Sequence, residues 1–361
     1  MLSVPFANHG PRRAEDPLLR GPVTRSRLTG PDTYNWETSA VYSQGWSVPT
    51  TREGAAERPA TPRASVIVRA RDMAPTIGAA LHSLRGQTVE AEVVLVDSGS
   101  TDGTVEIARG YCDKVLSIAP ADFSYGRALN LGVAEASGEI CFALSAHRVA
   151  PGPRWVQSAL EAYEDERVAA TAGETHGPDG RVLMGPTTFC LPLPWLATNL
   201  DWGLSNTASS WRRSAWESEP FNEGLDACED KEWMWRVLAA GWSIVADPRL
   251  HVPGDHRRQA GWTALYRRVY RERRALAELV DFTPLGAQEL AEYWLTEFPY
   301  VSAWPRWTRV VSPYRAAELM GRYMGERAGA RRRGPGAVPA DFFSRTPIWT
   351  PPAVPAAELS S

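Results

Sequence analysis

The pattern of apolar positions is clearest at 92–96, where the sequence reads EVVLV. After its first residue this run is wholly apolar and rich in β-branched side chains, which is typical of a strand buried on both faces of a parallel sheet. The run ends at Asp97, and small polar residues follow up to Gly103, before a helix pattern at 105–111. A carboxylate at such a strand end lies where open α/β sheets bind nucleotides. On spacing alone, Asp97 and Asp102 are explained equally well as turn and N-cap residues.

Similar apolar runs alternate with helix patterns along the chain. Further strands are predicted at 65–69, 114–118, 139–144, 168–172 and 242–246, and helices at 126–136, from 153, at 229–240 and at 262–280. Strands that alternate with helices of about ten residues form βαβ units, so we predict an α/β fold with a mostly parallel central sheet.

The regions outside this alternation set the predicted organisation. Residues 1–62 are rich in Pro, Gly and Arg without periodicity and are predicted to be a disordered or docking arm before a domain at 63–280. We expect a helical extension at 281–330 and a Pro-rich tail at 331–361. The loop-rich stretch 174–226 is too long for an inert connection, so we expect it to build a site.

Composition excludes several classes of protein. A formal net charge of −3 argues against a nucleic-acid binder. Four scattered cysteines without a C-x-x-C pair argue against a zinc cluster or a disulfide framework, and favour a reducing cytoplasm. We also expect neither a membrane span nor a signal peptide, because no apolar stretch is long enough.

Two more clusters of polar residues accompany Asp97. Ser145, Ala146 and His147 close the strand at 139–144, where an imidazole could ligate a metal that bridges two phosphates, although a lone His is more often structural. Glu229 and Asp230 begin a helix, where one acid can face a cleft while the other caps or pairs; acids there are also ordinary partners of the helix dipole. The turn after the first strand has no glycine, which excludes a Rossmann dinucleotide fingerprint.

Taken together, the motifs resemble those of the family 2 glycosyltransferases, inverting enzymes of the GT-A fold. The resemblance covers residues 65 to about 275 and rests on five stretches in order: SVIVRARDMAPTIGAALHSLRGQT, EVVLVDSGSTDGT, FSYGRALNLGVAEASGE, LSAH and FNEGLDACEDKEWMWRVLAAGW. It implies a GT-A type, Rossmann-like sheet and a hexosyltransferase that uses a nucleotide-sugar donor, by default a UDP-sugar.

The resemblance also implies roles for individual residues. Those assigned to the nucleotide and donor are Arg69, Ala70, Arg71, Asp97, Ser98, Asp102, Arg127, Ser145 and Ala146. Asp230, the second acid of the pair with Glu229, would be the general base that deprotonates an acceptor hydroxyl.

The metal motif departs from the family pattern. Ser145-Ala146-His147 stands where the family usually has Asp-x-Asp. His147 can keep the role of a ligand for Mn²⁺ or Mg²⁺, with His256 as a second ligand, but Ser145 adds no charge, so we expect weaker metal affinity. Alternatively the metal is dispensable, and Arg127 or the stripe of Arg267, Arg271 and Arg274 holds the diphosphate.

Two other functions compete with a transferase. A catalytically silent GT-A module would bind a nucleotide sugar or glycan; Ser145 favours that alternative and the intact acid pair disfavours it. A nucleotidyltransferase would need glycines in the first loop and ranks last. We assign Trp202, Asn206 and Trp211 to the acceptor region, and expect a carbohydrate, lipid-linked or small-molecule acceptor. The arginine stripe is either a solvated face or a peripheral contact with the inner face of the membrane.

Overall fold

The structure is a computed structural model. It describes residues 64–173, 188–191, 193–196, 200, 202–252, 261–296, 312–339 and 342–343. The predicted arm at 1–62 and the predicted metal ligand His256 lie outside the described residues.

Eight strands in the described ranges form one sheet. They are β1 (Ala64–Ala70), β2 (Ala91–Asp97), β3 (Lys114–Ser117), β4 (Ile140–Ser145), β5 (Val168–Ala172), β6 (Phe189–Cys190), β7 (Ala208–Arg212) and β8 (Ser243–Ala246). Their order is β3-β2-β1-β4-β7-β5-β8-β6. Strands β3, β2, β1 and β4 are parallel, and so are β5 and β8, whereas β7 and β6 run antiparallel to their neighbours. The predicted mostly parallel sheet is confirmed.

Helices cover both faces of the sheet. They are α1 (Ala74–Arg85), α2 (Thr104–Ala108), α3 (Tyr125–Glu135), α4 (Trp155–Ala162), α5 (Leu193–Leu196), α6 (Arg213–Ser218), α7 (Glu229–Ala239), α8 (Gly261–Leu279), α9 (Ala287–Thr296) and α10 (Pro313–Arg332). One apolar core lies on the side of α3 and α7, and a second lies on the side of α1 and α4. Among the described residues, no helix combines the length and the apolar character that crossing a bilayer requires.

The register of the sheet brings the predicted site residues to one edge. Ala70 pairs with Asp97 across β1 and β2, and Arg69 pairs with Ser145 across β1 and β4. Helix α3 packs closely against β1, since a Cβ at Gly132 would lie 2.5 Å from Ile67 Cγ2. The carboxyl ends of these strands and the start of α3 are therefore held together as one rigid platform.

A half-buried carboxylate, that of Glu92, joins the residues at the opposite ends of these strands. Glu92 accepts hydrogen bonds from Ser65 Oγ at 2.6 Å and from the backbone N–H of Ser137 at 2.7 Å, and Lys114 Nζ lies 3.0 Å away. Burial alone would raise the pKa of Glu92, but the bonds from Ser65, Ser137 and Lys114 outweigh it and lower the pKa from 4.5 to about 2. The carboxylate thus ties β1 and β2 to the residues that precede β4.

Two boundaries differ from the prediction. The region expected to be loop-rich, 174–226, contains β7 and α6. Strand β7 was missed because its Ser210 has no apolar signal; the Ser210 hydroxyl is instead paired inside the core with Thr171 Oγ1 at 2.6 Å and Tyr163 Oη at 2.8 Å. The tail predicted from 331 is wrong in its first part, because Phe343 is buried against Trp235 with ring centroids 5.3 Å apart.

The C-terminal helices pack unusually closely. Added Cβ atoms would lie 3.0 Å from Tyr266 O at Gly321, 2.5 Å from Tyr270 O at Gly325 and 2.2 Å from Arg274 O at Gly329. Glycines spaced four apart share one helix face, so α10 lies with its backbone directly on α8. Helix α8 is therefore fixed along its length, although it follows the alternating part of the chain.

Candidate active site

Two loops at the ends of β1 and β2 are tied to each other by carboxylates. Asp72, with φ of 51°, accepts a hydrogen bond from the backbone N–H of Thr101 at 2.8 Å, and Asp102 accepts one from the backbone N–H of Ala74 at 2.9 Å. Asp102 also accepts from Thr104 N and Oγ1, so it has the contacts of a turn and helix-start residue. Its predicted contact with the donor stays a prediction.

Asp97 lies at the predicted position with a carboxylate that is only 5% exposed. It accepts from Gly99 N and Ser100 N, both at 3.0 Å, and from Ser100 Oγ at 2.5 Å. All three donors belong to its own loop, as the turn explanation requires. Beside it, Ser98 is buried and donates its backbone N–H to Ala70 O at 3.0 Å. Arg71 is exposed.

The acid pair begins α7, directly after a residue in an uncommon backbone conformation. Cys228 has φ of 65°, which lies in the left-handed region that residues with a Cβ rarely adopt. Glu229 is 5% exposed and accepts from Arg69 and from Asn206 Nδ2, both at 3.3 Å. Asp230 is half-buried, and its Oδ2 accepts from the backbone N–H of Asn206 at 3.1 Å. The two acids therefore differ: Glu229 is enclosed and paired, and Asp230 reaches solvent.

The environment of Glu229 raises its pKa. Burial is the main cause, the neighbouring Asp230 charge adds to it, and Arg69 opposes both. A buried acid with a raised pKa beside a second, more accessible carboxylate is an arrangement common at sites of proton transfer.

Arg69 and Tyr125 line the approach to the acid pair. The Arg69 guanidinium donates to Tyr125 O at 3.1 Å and lies 5.2 Å from the centre of the Tyr125 ring. Arg127, two residues after Tyr125 in α3, is exposed and lies 4.0 Å from Asp122 and 3.9 Å from Glu223. Arg127 thus has a solvent-facing guanidinium near the start of α3.

The side-chain amide of Asn130, with all its hydrogen bonds formed, fixes the loop that follows α6. Asn130 Nδ2 donates to Phe221 O and to Glu223 Oε1, and its Oδ1 accepts from Trp216 Nε1 and from Phe221 N, over 2.8–3.1 Å. All four bonding positions of the amide are used. At Gly126 an added Cβ would lie 2.6 Å from Asn222 O, so the same loop lies against the first turn of α3.

The predicted metal motif lies at the end of β4. Ser145 and His147 are half-buried and Ala146 is buried. The pKa of His147 is lowered by burial, and further by the charges of Arg148 and Arg268. A neutral imidazole is the form that ligates metals. Among the described residues, however, no three His, Cys, Asp or Glu side chains are grouped so that they could hold an ion. The described residues therefore do not by themselves make a metal centre.

The predicted acceptor residues divide into two groups. Trp202 and Asn206 belong to the 202–206 loop, which lies against α7: a Cβ at Gly203 would lie 2.5 Å from Met234 Sδ. Asn206 is 3% exposed and orients both acids. Trp211 was wrongly placed, since it lies in β7 without solvent exposure and its ring packs 5.1 Å from that of Phe221.

Three site features were not predicted as such. Tyr125 and Asn130 lie within a motif from which only Arg127 was assigned, and Asn206 was assigned to the acceptor and not to the acids. A tyrosine or asparagine inside an amphipathic helix gives no signal of its own, because its partners come from loops distant in the chain.

The sheet and the polar residues at its carboxyl edge define an α/β domain of the kind that binds nucleotides. Residues 65–201 match the family model described as glycosyl transferase family 2. The match covers 137 of the 361 residues, so it shows that this part of the chain is similar to that family.

Two curated relatives are similar over part of the chain. The O-antigen chain rhamnosyltransferase WbaN of Salmonella anatum is 27% identical over 199 residues, which are 48% of this chain and 60% of the relative. A PGL/p-HBAD biosynthesis glycosyltransferase of Mycobacterium bovis is 33% identical over 138 residues, 36% of this chain and 50% of the relative. The chain thus spans between half and about three fifths of these relatives.

Solved structures show a distant likeness. The mannosyltransferase PcManGT from Pyrobaculum calidifontis, in complex with GDP-Man and Mn²⁺, has a TM-score of 0.45 at 19% identity, over 74% of this chain and 72% of that one. Glucosyl-3-phosphoglycerate synthase from Mycobacterium tuberculosis has a TM-score of 0.44 at 19% identity, over 58% and 80%. At these TM-scores the likeness carries no argument about ligands.

Proposed function

We propose that this protein is an inverting glycosyltransferase that moves a sugar from a nucleotide-diphosphate donor, by default a UDP-sugar, to an acceptor hydroxyl. The observation that carries the proposal is the difference in environment between the two acids. Glu229 is enclosed by Arg69 and Asn206, whereas Asp230 is held in place by the backbone N–H groups of Asn206 and Lys231 and reaches solvent.

Asp230 is the general base in this proposal. Its carboxylate takes the proton of the acceptor hydroxyl, and the oxygen attacks the anomeric carbon opposite the departing nucleoside diphosphate. Glu229 keeps Arg69 and Asn206 in position. Arg69 supplies positive charge near the leaving diphosphate, and Arg127 adds a mobile cation at the start of α3.

The similar proteins support sugar transfer to a growing glycan or glycoconjugate, since they include an O-antigen chain rhamnosyltransferase and a PGL/p-HBAD biosynthesis glycosyltransferase. A hexosyl-type sugar and a carbohydrate or lipid-linked acceptor belong to the proposal, and so does a location in the cytoplasm at the inner face of the membrane.

Replacing Asp230 by Asn tests the assignment of the base. We expect a loss of at least ~100-fold in the acceptor-dependent release of nucleoside diphosphate from a nucleotide sugar, with unchanged nucleoside diphosphate binding by calorimetry. Glu232→Gln is the matched control, because Glu232 lies in the same first turn but pairs with Arg236 at 2.6 Å. Activity that survives in Asp230→Asn contradicts the assignment.

The alternative, a silent nucleotide-sugar-binding module, is favoured by Ser145, which replaces an acid. It predicts that the wild-type protein binds nucleoside diphosphates but releases none from any nucleotide sugar, whichever acceptor is offered. Calorimetry with uridine, guanosine and thymidine diphosphates identifies the nucleobase of the donor.

The role of a divalent metal, Mn²⁺ or Mg²⁺ held by His147 and His256, stays a prediction. If it is right, Mn²⁺ strengthens nucleoside diphosphate binding in the wild type and not in His147→Ala. Equal binding with and without Mn²⁺ in the wild type removes His147 as a ligand and leaves the transferase proposal intact.

A further inference from the structure

Helix α8 contacts two separate parts of the candidate site. Glu272 O accepts from Cys228 Sγ at 3.6 Å, directly before the acid pair. Arg271 Nη2 lies 3.4 Å from Tyr125 Oη. This helix follows the segment that matches the family model, which ends at residue 201.

The arginine stripe predicted from the sequence divides into three different environments. Arg267 is exposed. Arg274 is paired with Asp226 and lies 3.5 Å from Glu278. Arg271 is half-buried, with its guanidinium carbon 5.5 Å from the centre of the Tyr125 ring. Of these three arginines, Arg271 is therefore the one directed at the site.

Arg271 and Arg69 meet at the same aromatic ring. The Arg69 guanidinium carbon lies 5.2 Å from the ring centre of Tyr125 and that of Arg271 lies 5.5 Å away. A tyrosine ring attracts each cation but neutralises neither. Glu229 pairs with Arg69, and in the described ranges no carboxylate lies within ion-pair distance of Arg271. Two guanidinium groups thus lie beside one ring, and of the two only Arg69 pairs with a carboxylate in the described ranges.

The hydrogen bonding of Arg271 is also incomplete. Its Nε is buried without a hydrogen-bond acceptor among the described residues, and its Nη2 reaches only the neutral hydroxyl of Tyr125. Leaving a charged donor buried and unsatisfied is costly. An oxyanion with several acceptor oxygens would supply the acceptor that Arg271 lacks.

We propose that Arg69 and Arg271, placed beside Tyr125, form a two-guanidinium anion site that binds the diphosphate of the nucleotide donor. Helix α8 then supplies half of the charge that receives the leaving group. This inference rests on the proposed function and names one of its binding determinants.

The test compares Arg271→Gln with Arg267→Gln, which removes the same charge one turn earlier on the exposed side of α8. Calorimetry with uridine, guanosine and thymidine diphosphates, inorganic pyrophosphate and the matching nucleosides provides the readout. We expect Arg271→Gln to weaken diphosphate and pyrophosphate binding about 10- to 100-fold, as for one lost charge-assisted hydrogen bond. Arg267→Gln should stay within about twofold of the wild type.

Several outcomes overturn the inference. Equal losses in both variants would mean a general charge effect, and equal losses for nucleoside and diphosphate would mean that Arg271 only holds the helix. Pyrophosphate that still binds when the protein is saturated with nucleoside diphosphate would place the anion site elsewhere, as for a phosphorylated acceptor. If Arg271→Gln does not fold, Arg271→Lys serves: it loses the forked guanidinium donors, so pyrophosphate binding should still weaken, and binding equal to that of the wild type would overturn the inference.

Failure of the proposed function is a separate result. A wild-type protein that binds none of the nucleoside diphosphates contradicts the transferase itself. If the wild-type protein binds a nucleoside diphosphate and Arg271→Gln binds it equally tightly, only the role of Arg271 is contradicted.

Discussion

The Arg69–Glu229 ion pair connects the first strand to the start of α7, and its removal has a size and a pH dependence that follow from the geometry. Arg69→Met keeps the length of the side chain and removes the charge. The side chains of Arg69 and Glu229 are 15% and 6% exposed, and Nη1 lies 3.3 Å from Oε1. The substitution therefore leaves an acid enclosed without its cation.

The magnitude is a balance of two terms. At 3.3 Å and an effective dielectric constant of about 20, the Coulomb attraction is ~5 kcal/mol. Desolvation of both charges offsets much of it, and losing one member of a fully buried pair typically costs ~3–5 kcal/mol. Because Arg69 keeps some contact with water, we expect Arg69→Met to lower the free energy of unfolding by ~2–3 kcal/mol near neutral pH.

The loss should depend on pH with a definite sign. The pKa of Glu229 is already raised by burial and by Asp230, and Arg69 acts against that rise. Without Arg69 the folded-state pKa rises further, so the variant can relieve the penalty by protonating Glu229. The penalty is therefore small below the unfolded pKa of about 4.5 and grows as the pH rises through the folded-state pKa.

Urea denaturation of Arg69→Met, Glu229→Gln and the double variant, from pH 5 to pH 8, measures these terms. The double variant should be more stable than Arg69→Met above neutral pH, because the unpaired charge is gone, and the cycle gives the coupling energy. A loss in Arg69→Met that is the same at every pH would refute the ion-pair reasoning and assign the effect to the contacts with Tyr125.

Three further perturbations test the framework of the site. Gly325→Ala places a Cβ 2.5 Å from Tyr270 O and should lower the melting temperature. Gly336→Ala, with no atom within 4 Å of its Cβ, should leave the melting temperature unchanged. Equal effects of the two substitutions would contradict the close packing of α8 and α10. Glu92→Gln should destabilise the fold by up to ~3 kcal/mol at pH 7. Because the pKa of Glu92 is lowered, this difference from the wild type should disappear as the pH falls from 4.5 to about 2. A difference that persists at pH 2 would contradict the lowered pKa. Asn130→Ala should raise the KM for the acceptor while leaving nucleoside diphosphate binding intact, because four hydrogen bonds to α6 and the loop after it are lost; unchanged acceptor kinetics would refute that link.

The parallel half of the sheet was predictable because its strands carry their own signal. Each of β1, β2 and β4 is almost wholly apolar, as burial on both faces requires, and each is followed by polar residues. Strand β7 has no such signal. The hydroxyl of Ser210 is buried because Thr171 and Tyr163 satisfy it, and that pairing exists only in the folded sheet.

The acid pair was predictable in place but not in detail. Two acids at a helix start suggest one that pairs and one that faces a cleft, and the structure distinguishes them through Arg69 and Asn206, whose positions lie far apart in the chain. Trp211 was misplaced for the same reason: a tryptophan in a loop-rich stretch suggests a sugar-stacking ring, yet this one belongs to a strand whose inward face fills the core.

The residues of the candidate site come from two consecutive parts of the chain. The strand ends that carry Asp97 and Arg69 lie within residues 65–201, the part that matches the family, whereas Asn206, Asp230 and Arg271 all follow it. The matched part supplies the rigid edge of the sheet, and the remainder supplies the acids, the loop beside them and a helix fixed by glycines against α10. Because α8 reaches the site through Arg271 and Glu272, a displacement of this helix alters the surroundings of Tyr125 and Cys228 without touching the sheet. We therefore expect changes within α8 and α10 to affect donor affinity more than they affect the stability of the sheet.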